Sequence, residues 1–278
     1  MIAVCCDSGA QLPTALAAAH GIEVVPLSVT IDGIDHLEGV DLDADSFWAR
    51  FDRGRVPQVT TAAPSPGRIA AAYRRLASQG ATATVSVHTG AELSGTFNAT
   101  RLAAEAVDVP VALVDTQSAS FVVGCAALAA AEAVATGASP TEAAEVARGV
   151  ASGCGNVFVV GALDLARAGG RLAPDVAAPG AAGAVPVLRL VDGKITAIGE
   201  ARSSDEAAEL MAAEILTSGE RMRVGIGIAD SASGPIGATL RRRLEAAGRD
   251  LEILDYRVGP SVGAHTGPGT AGAVYHPL

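Results

Sequence analysis

Short runs of β-branched and apolar residues alternate along this chain with longer Ala-rich stretches. The segments "IAVCCDS" (2–8), "IEVVPLSV" (22–29), "ATATVSVHT" (81–89) and "VPVALVDT" (109–116) read as strands, each followed by a turn signal or a helical stretch. That order predicts an α/β fold in which a mainly parallel sheet carries helices on both faces, in three layers. From "NVFVVGAL" (156–163) the rhythm changes. "VPVLRLVDGKITAIGEA" (185–201) reads as two strands around an Asp192-Gly193 turn, a hairpin signal absent from the first half. Two domains are expected: a three-layer α/β/α domain over residues 1–152, and an α/β domain with a mixed sheet over 153–278. "RLAPDVAAPGAAGAV" (171–185) reads as a connector, and the chain shows no internal repeat.

Composition narrows the function classes. Thirty acidic residues against twenty basic ones give a net charge of −10, so the broad positive footprint of a nucleic-acid binder is missing. Few aromatics and much Ala and Gly predict closely packed helices and sheets in place of a bulky aromatic core. The most apolar run, "FVVGCAALAAAEAVATG" (121–137), is interrupted by Glu132 and reads as a buried helix rather than a membrane span. "MIAVCCDSG" has no basic segment before its short apolar stretch, which makes the cytoplasm the expected location. Cys5, Cys6, Cys125 and Cys154 show neither CxxC spacing nor a neighbouring histidine cluster. They read as core residues, and no metal or cofactor is expected.

Several stretches carry polar chemistry. In "GAELSGTFNATRLAAEA" (90–106), Ser94 stands between a strand and a helical run, as a helix cap or as part of an anion site on the first helical amides. Thr60 and Thr61 precede the proline turn of "QVTTAAPSPG" (58–67), a common structural arrangement. Gly170 and Arg171 in "ARAGGRLAPD" fit a helix end followed by a tight turn. Arg202 lies between a strand and a Ser/Asp-capped helix, facing either solvent or a cleft. His265 stands in "GPSVGAHTGPG" (259–269), read as a flexible loop, where Gly263 and Gly267 allow close backbone approach. His20, His36, His88 and His276 lack such surroundings. There is no GxSxG elbow and no phosphate-binding GxxxxGK[ST] loop, so no catalytic residue is assigned. A serine-dependent hydrolase or acyltransferase using Ser94 and His265 is the alternative to a binding protein.

Taken in order, "DSGAQLP", "TTAAPSP", "LSGTF", "VDTQSAS", "LARAGGRL", "VPVLRLVDGKI" and "VGAHTGPG" run through nearly the whole chain. The series resembles the DegV family, bacterial fatty-acid-binding proteins that present a bound acid to a separate fatty acid kinase. The resemblance implies a non-enzymatic carrier whose second domain closes a lipid pocket and which makes at most transient contact with a membrane. It also implies that Thr61, Ser94 and Gly95 hold the fatty acid carboxylate, and that His265 and Arg202 serve the same head group, Arg202 being suited to an acyl phosphate. Gly170 and Arg171 are implied at a rim where the kinase docks. Departures from the family pattern fall at Gly90 and Ala91, where many members carry serines, at Ala62, where a further serine is usual, and at Ile228, where a histidine is common.

Overall fold

The computed structural model describes residues 1–162, 184–191 and 194–278. The chain divides into two compact units: residues 1–42 with 58–152, and residues 43–57 with 153–278.

The first unit is built on four parallel strands, β1 (Ile2–Asp7), β2 (Ile22–Val25), β6 (Ala83–His88) and β7 (Val111–Asp115), in the order β2-β1-β6-β7. A short helix, α1 (Thr14–Ala19), lies between β1 and β2 in the chain. Helices α3 (Pro66–Ser78) and α4 (Thr96–Glu105) cover one face, and their core joins Ala3 and Cys5 of β1 to Ile69, Tyr73, Ala99 and Ala103. The apolar run at 121–137 forms α5 (Phe121–Ala135), buried along its first eleven residues and packed on β1 and β6. Helix α6 (Pro140–Gly153) follows it and closes the unit. Among the described residues no helix is long and apolar enough to cross a membrane.

One strand expectation is corrected. Residues 22–29 do not form a single strand but split between β2 and β3 (Ser28–Ile31). Pro26 stands at the break, where it has no N–H to give a ladder, and the next amide, Leu27, is taken by the Ser8 hydroxyl at 2.9 Å. β3 then joins β4 (Ile34–Leu37) and β5 (Val59–Ala62) in a separate antiparallel sheet of three strands, which strand signals at 34–37 and 59–62 are too short to announce.

The second unit carries a mixed sheet of six strands. These are β8 (Gly155–Val159), β9 (Val185–Val191), β10 (Lys194–Ala201), β11 (Arg221–Ile228), β12 (Asp250–Arg257) and β13 (Ala271–Pro277), in the order β10-β9-β8-β13-β11-β12. Only β11 and β12 are parallel. β9 and β10 pair antiparallel as the hairpin reading requires; its turn, 192–193, lies outside the described residues, as does nearly all of the expected connector. Helices α7 (Ser204–Leu216) and α8 (Gly234–Ala246) supply the apolar core under the sheet, through Met211, Ile215, Ile236 and Leu240.

Residues 43–57 fall within the range 1–152 expected for the first domain, yet they cluster with the second unit. The reason is aromatic. Phe47 and Trp48 of α2 (Ala44–Trp48) and the following Phe51 form a mutually packed trio, with ring centroids 4.8 to 5.4 Å apart. The Trp48 indole N–H donates to the carbonyl of Val258 at 2.7 Å.

Candidate functional site

In an open parallel sheet a ligand crevice forms beyond the carboxyl ends of the strands, where successive connections leave in opposite directions. From β1 the chain goes outward to β2, and from β6 it goes the other way to β7, so the switch point lies between β1 and β6. Residues 7–10 and 89–95 therefore occupy the place where the fold puts a ligand.

Beyond β1, Ser8 is spent on structure: its hydroxyl donates to the Glu38 carboxylate at 2.5 Å and accepts the Leu27 amide. Beyond β6, the loop 89–95 is tightly held. The amide of Gly90 donates to Ser118 at 2.8 Å, and the Gly90 carbonyl accepts the amides of Leu93 and Ser94, both at 3.0 Å. Ala91 donates its amide to the Asp115 carboxylate at 3.2 Å. The loop then enters α4. Gly95, not Ser94, is the capping residue, with a helical backbone. The Ser94 hydroxyl acts one position early, accepting the Thr96 amide at 3.2 Å and meeting the Thr96 hydroxyl at 2.8 Å. The half-buried Ser94 thus orders the helix start from one position before the cap, beside first-turn amides that no helical carbonyl can reach.

Thr61 belongs to β5, opposite Val29, and is half-buried. The turn that follows it lies close to the α4 start, since a β-carbon added to Gly95 would sit 3.8 Å from that of Ala63. The first unit therefore gathers the Thr61 segment, Ser94 and Gly95 into one neighbourhood at the switch point. Ala62 is exposed in the same strand.

Glycine at position 90 has a steric basis. A β-carbon there would stand 2.8 Å from the Gln117 backbone, which cannot yield as a flexible side-chain end would. Gly90→Ser should destabilise the protein by about 1–3 kcal/mol. Thermal unfolding checks this, and an unchanged midpoint would mean that the 116–118 backbone gives way.

The other expected head-group residues belong to the second unit. Arg202 is exposed between β10 and α7, where its backbone amide donates to Glu206 at 2.7 Å. It lines a cleft of about 390 Å³ together with Val160, Ala201, Ile236 and Gly269. His265 is half-buried in the last turn of a short helix, α9 (Pro260–Thr266). This corrects the expectation of a flexible loop over 259–269. Pro260 at the helix start and Gly267 after its end, at φ 76°, bracket the helix as proline and glycine typically do. Gly263 permits close approach: a β-carbon would lie 2.6 Å from the Trp48 ring and 2.8 Å from Phe47. Gly170 and Arg171 lie outside the described residues.

A group that carries no signal in the sequence stands directly behind the switch point. Asp7 and His88, at the ends of β1 and β6, are fully buried and face each other, with His88 Nδ1 3.0 Å from Asp7 Oδ2. Burial alone would lower the histidine pKa. The hydrogen bond and charge of Asp7, with help from Cys5, outweigh it and raise the His88 pKa to about 9. Burial likewise works against the Asp7 carboxylate, but His88 and the amide and hydroxyl of Thr89 hold it below the usual range. Both shifts favour the ionised pair.

The fold is that of a two-unit α/β protein whose first unit carries the Ser94 loop and the α4 start at a strand switch point. The model of the family described as "Uncharacterised protein, DegV family" matches residues 1–278, and the chain belongs to the DegV family. A DegV domain-containing protein of Streptomyces coelicolor is 36% identical over 275 residues, which cover 98% of this chain and 97% of the relative. One from Mycobacterium tuberculosis is 32% identical, covering 98% and 95%. Among solved structures, a DegV family protein from Thermus thermophilus, described for its fatty acid binding, superposes with a TM-score of 0.87 at 29% identity, covering 100% of this chain and 99% of the other. DegV from Bacillus subtilis, described as a fatty acid binding protein, gives 0.84 at 25% identity, with the same coverage.

Proposed function

We propose that this protein binds one long-chain fatty acid in the cytoplasm, holds its carboxylate at Thr61, Ser94 and Gly95, and presents it to a fatty acid kinase. The observation that carries the reading is the convergence of the Thr61 segment with the Ser94 hydroxyl and the α4 start at the switch point. Fatty acid binding by the Thermus and Bacillus relatives supports it. Burying an acyl chain is worth about 0.8 kcal/mol per methylene, so about fourteen methylenes contribute roughly 11 kcal/mol before ordering costs. The charged end then needs oriented donors, which hydroxyls and a helix start provide.

Removing the hydroxyl with Ser94→Ala, or with Thr61→Val, should weaken binding by about tenfold to a hundredfold, the worth of one hydrogen bond to a charged acceptor. Titration of the delipidated protein with oleate measures this; unchanged affinity in both variants would place the carboxylate elsewhere. Arg202 and His265 are assigned to the phosphoryl group, whose added charge suits a guanidinium and a protonatable imidazole. Arg202→Ala and His265→Ala should therefore impair kinase-coupled phosphorylation more than oleate binding. Equal losses in both assays would refute that division.

A further inference from the structure

Two carboxylates tie the crevice loop to the sheet beneath it, Asp115 of β7 through the Ala91 amide and Asp7 of β1 through Thr89. Asp7 Oδ1 accepts the Thr89 hydroxyl and Oδ2 accepts the Thr89 amide, both at 2.9 Å. Behind Asp7, His88 Nε2 lies 2.7 Å from the Ser86 hydroxyl, which in turn meets Tyr73 Oη at 2.7 Å and Cys5 Sγ at 3.2 Å. Asp7, Ser86 and His88 are wholly inaccessible to solvent. Ser86, His88 and Asp7 therefore form a Ser-His-Asp array with no route for a substrate, and the array serves the loop instead.

We propose that Asp7 is a positioning residue for the head-group site: by clamping Thr89 through two hydrogen bonds it fixes the loop that carries the Ser94 hydroxyl. The path is continuous. Thr89 is followed by Gly90, whose carbonyl receives the Ser94 amide at 3.0 Å and whose amide is anchored to Ser118. Gln117 fills the space against Gly90, so the loop has no room to resettle on that side once released. A buried ion pair is a costly way to hold two strands together, and an apolar pair of similar size serves stability at least as well. What apolar side chains cannot do is receive a backbone amide and a hydroxyl from one residue and so set the loop's exit direction.

The proposal rests on Ser94 being a head-group ligand, and a double-mutant cycle separates the two claims. Oleate affinity is measured on the full chain for wild type, Asp7→Asn, Ser94→Ala and the double variant, with Thr89→Val and Thr89→Val/Ser94→Ala as a second cycle. Asp7→Asn and Thr89→Val should each weaken oleate binding about tenfold, and on the Ser94→Ala background the further loss should fall below about threefold. An undiminished loss on that background, or none in wild type, overturns the positioning role while leaving the head-group reading intact. Unchanged affinity in Ser94→Ala sinks the assignment of Ser94 to the head group, and the positioning role with it. If circular dichroism shows that Asp7→Asn does not fold, the Thr89 cycle decides by the same criteria.

Discussion

Trp48→Ala should lower the stability of the second unit by about 3–5 kcal/mol, the usual cost of removing a buried aromatic ring. Trp48 is the chain's only tryptophan, and with Phe47 and Phe51 it concentrates aromatic volume in a chain that has little of it. Its loss would leave a cavity against Gly263, remove two edge-to-face or tilted ring contacts, and abandon the Val258 carbonyl that it satisfies at 2.7 Å. Urea unfolding followed by far-ultraviolet circular dichroism suits the variant, which lacks the fluorophore. A midpoint about 2 M lower is expected for a typical denaturant slope. A loss below about 1 kcal/mol would show that residues 43–57 are not anchored by this ring. Because Gly263 of α9 lies against the Trp48 and Phe47 rings, the variant should also disturb His265.

His88→Leu should cost about 3–5 kcal/mol, since it leaves the buried Asp7 carboxylate without its counter-charge. The same pair gives wild type a defined pH response. An unfolded histidine titrates near about 6.5, whereas His88 in the folded protein titrates at about 9. Its contribution is therefore complete below about pH 6.5, declines as pH rises, and is gone above the folded value, an effect of about 3 kcal/mol. The titratable groups around it are Asp7 and Cys5 from β1, Cys6 on the neighbouring position, and Tyr73 from α3. Burial, ahead of neighbouring charges, raises the pKa of both Cys6 and Tyr73, and the Asp7 pKa is lowered, so these three groups do not share the window. Urea unfolding at pH 6.5 and at pH 9.5 should show wild type losing stability and His88→Leu nearly insensitive. Parallel pH slopes in the two proteins would exclude an ionised His88.

How far the sequence announces this architecture depends on the range of the forces involved. The strands β1, β6 and β7 are legible because a parallel sheet covered by helices needs largely apolar runs rich in β-branched residues, such as "ATVSV" in the fully buried β6. The hairpin of β9 and β10 is legible from its turn residues. The helix at Pro260–Thr266 is hidden because the two prolines and four glycines of 259–269 have the composition of a loop, although Pro260 and Gly267 stand where a helix begins and ends. Of the candidate site, Ser94 is visible through its local cap and anion signals, whereas Thr61 reads locally as an ordinary turn residue and enters only through the family resemblance. The Asp7–His88 pair joins residues 81 positions apart, and nothing in the surroundings of His88 along the chain distinguishes it from a core histidine. Only the side-by-side pairing of β1 and β6 makes the charge explicable.

Whether a fatty acid carboxylate is seated on the Ser94 loop is decided by carbon-13 NMR of carboxyl-labelled oleate on the delipidated protein. At one equivalent, wild type should give a single bound carboxyl resonance distinct from free oleate, and Ser94→Ala should move that resonance or broaden it while Gly170→Ala leaves it in place. A bound resonance identical in wild type and Ser94→Ala would contradict that placement.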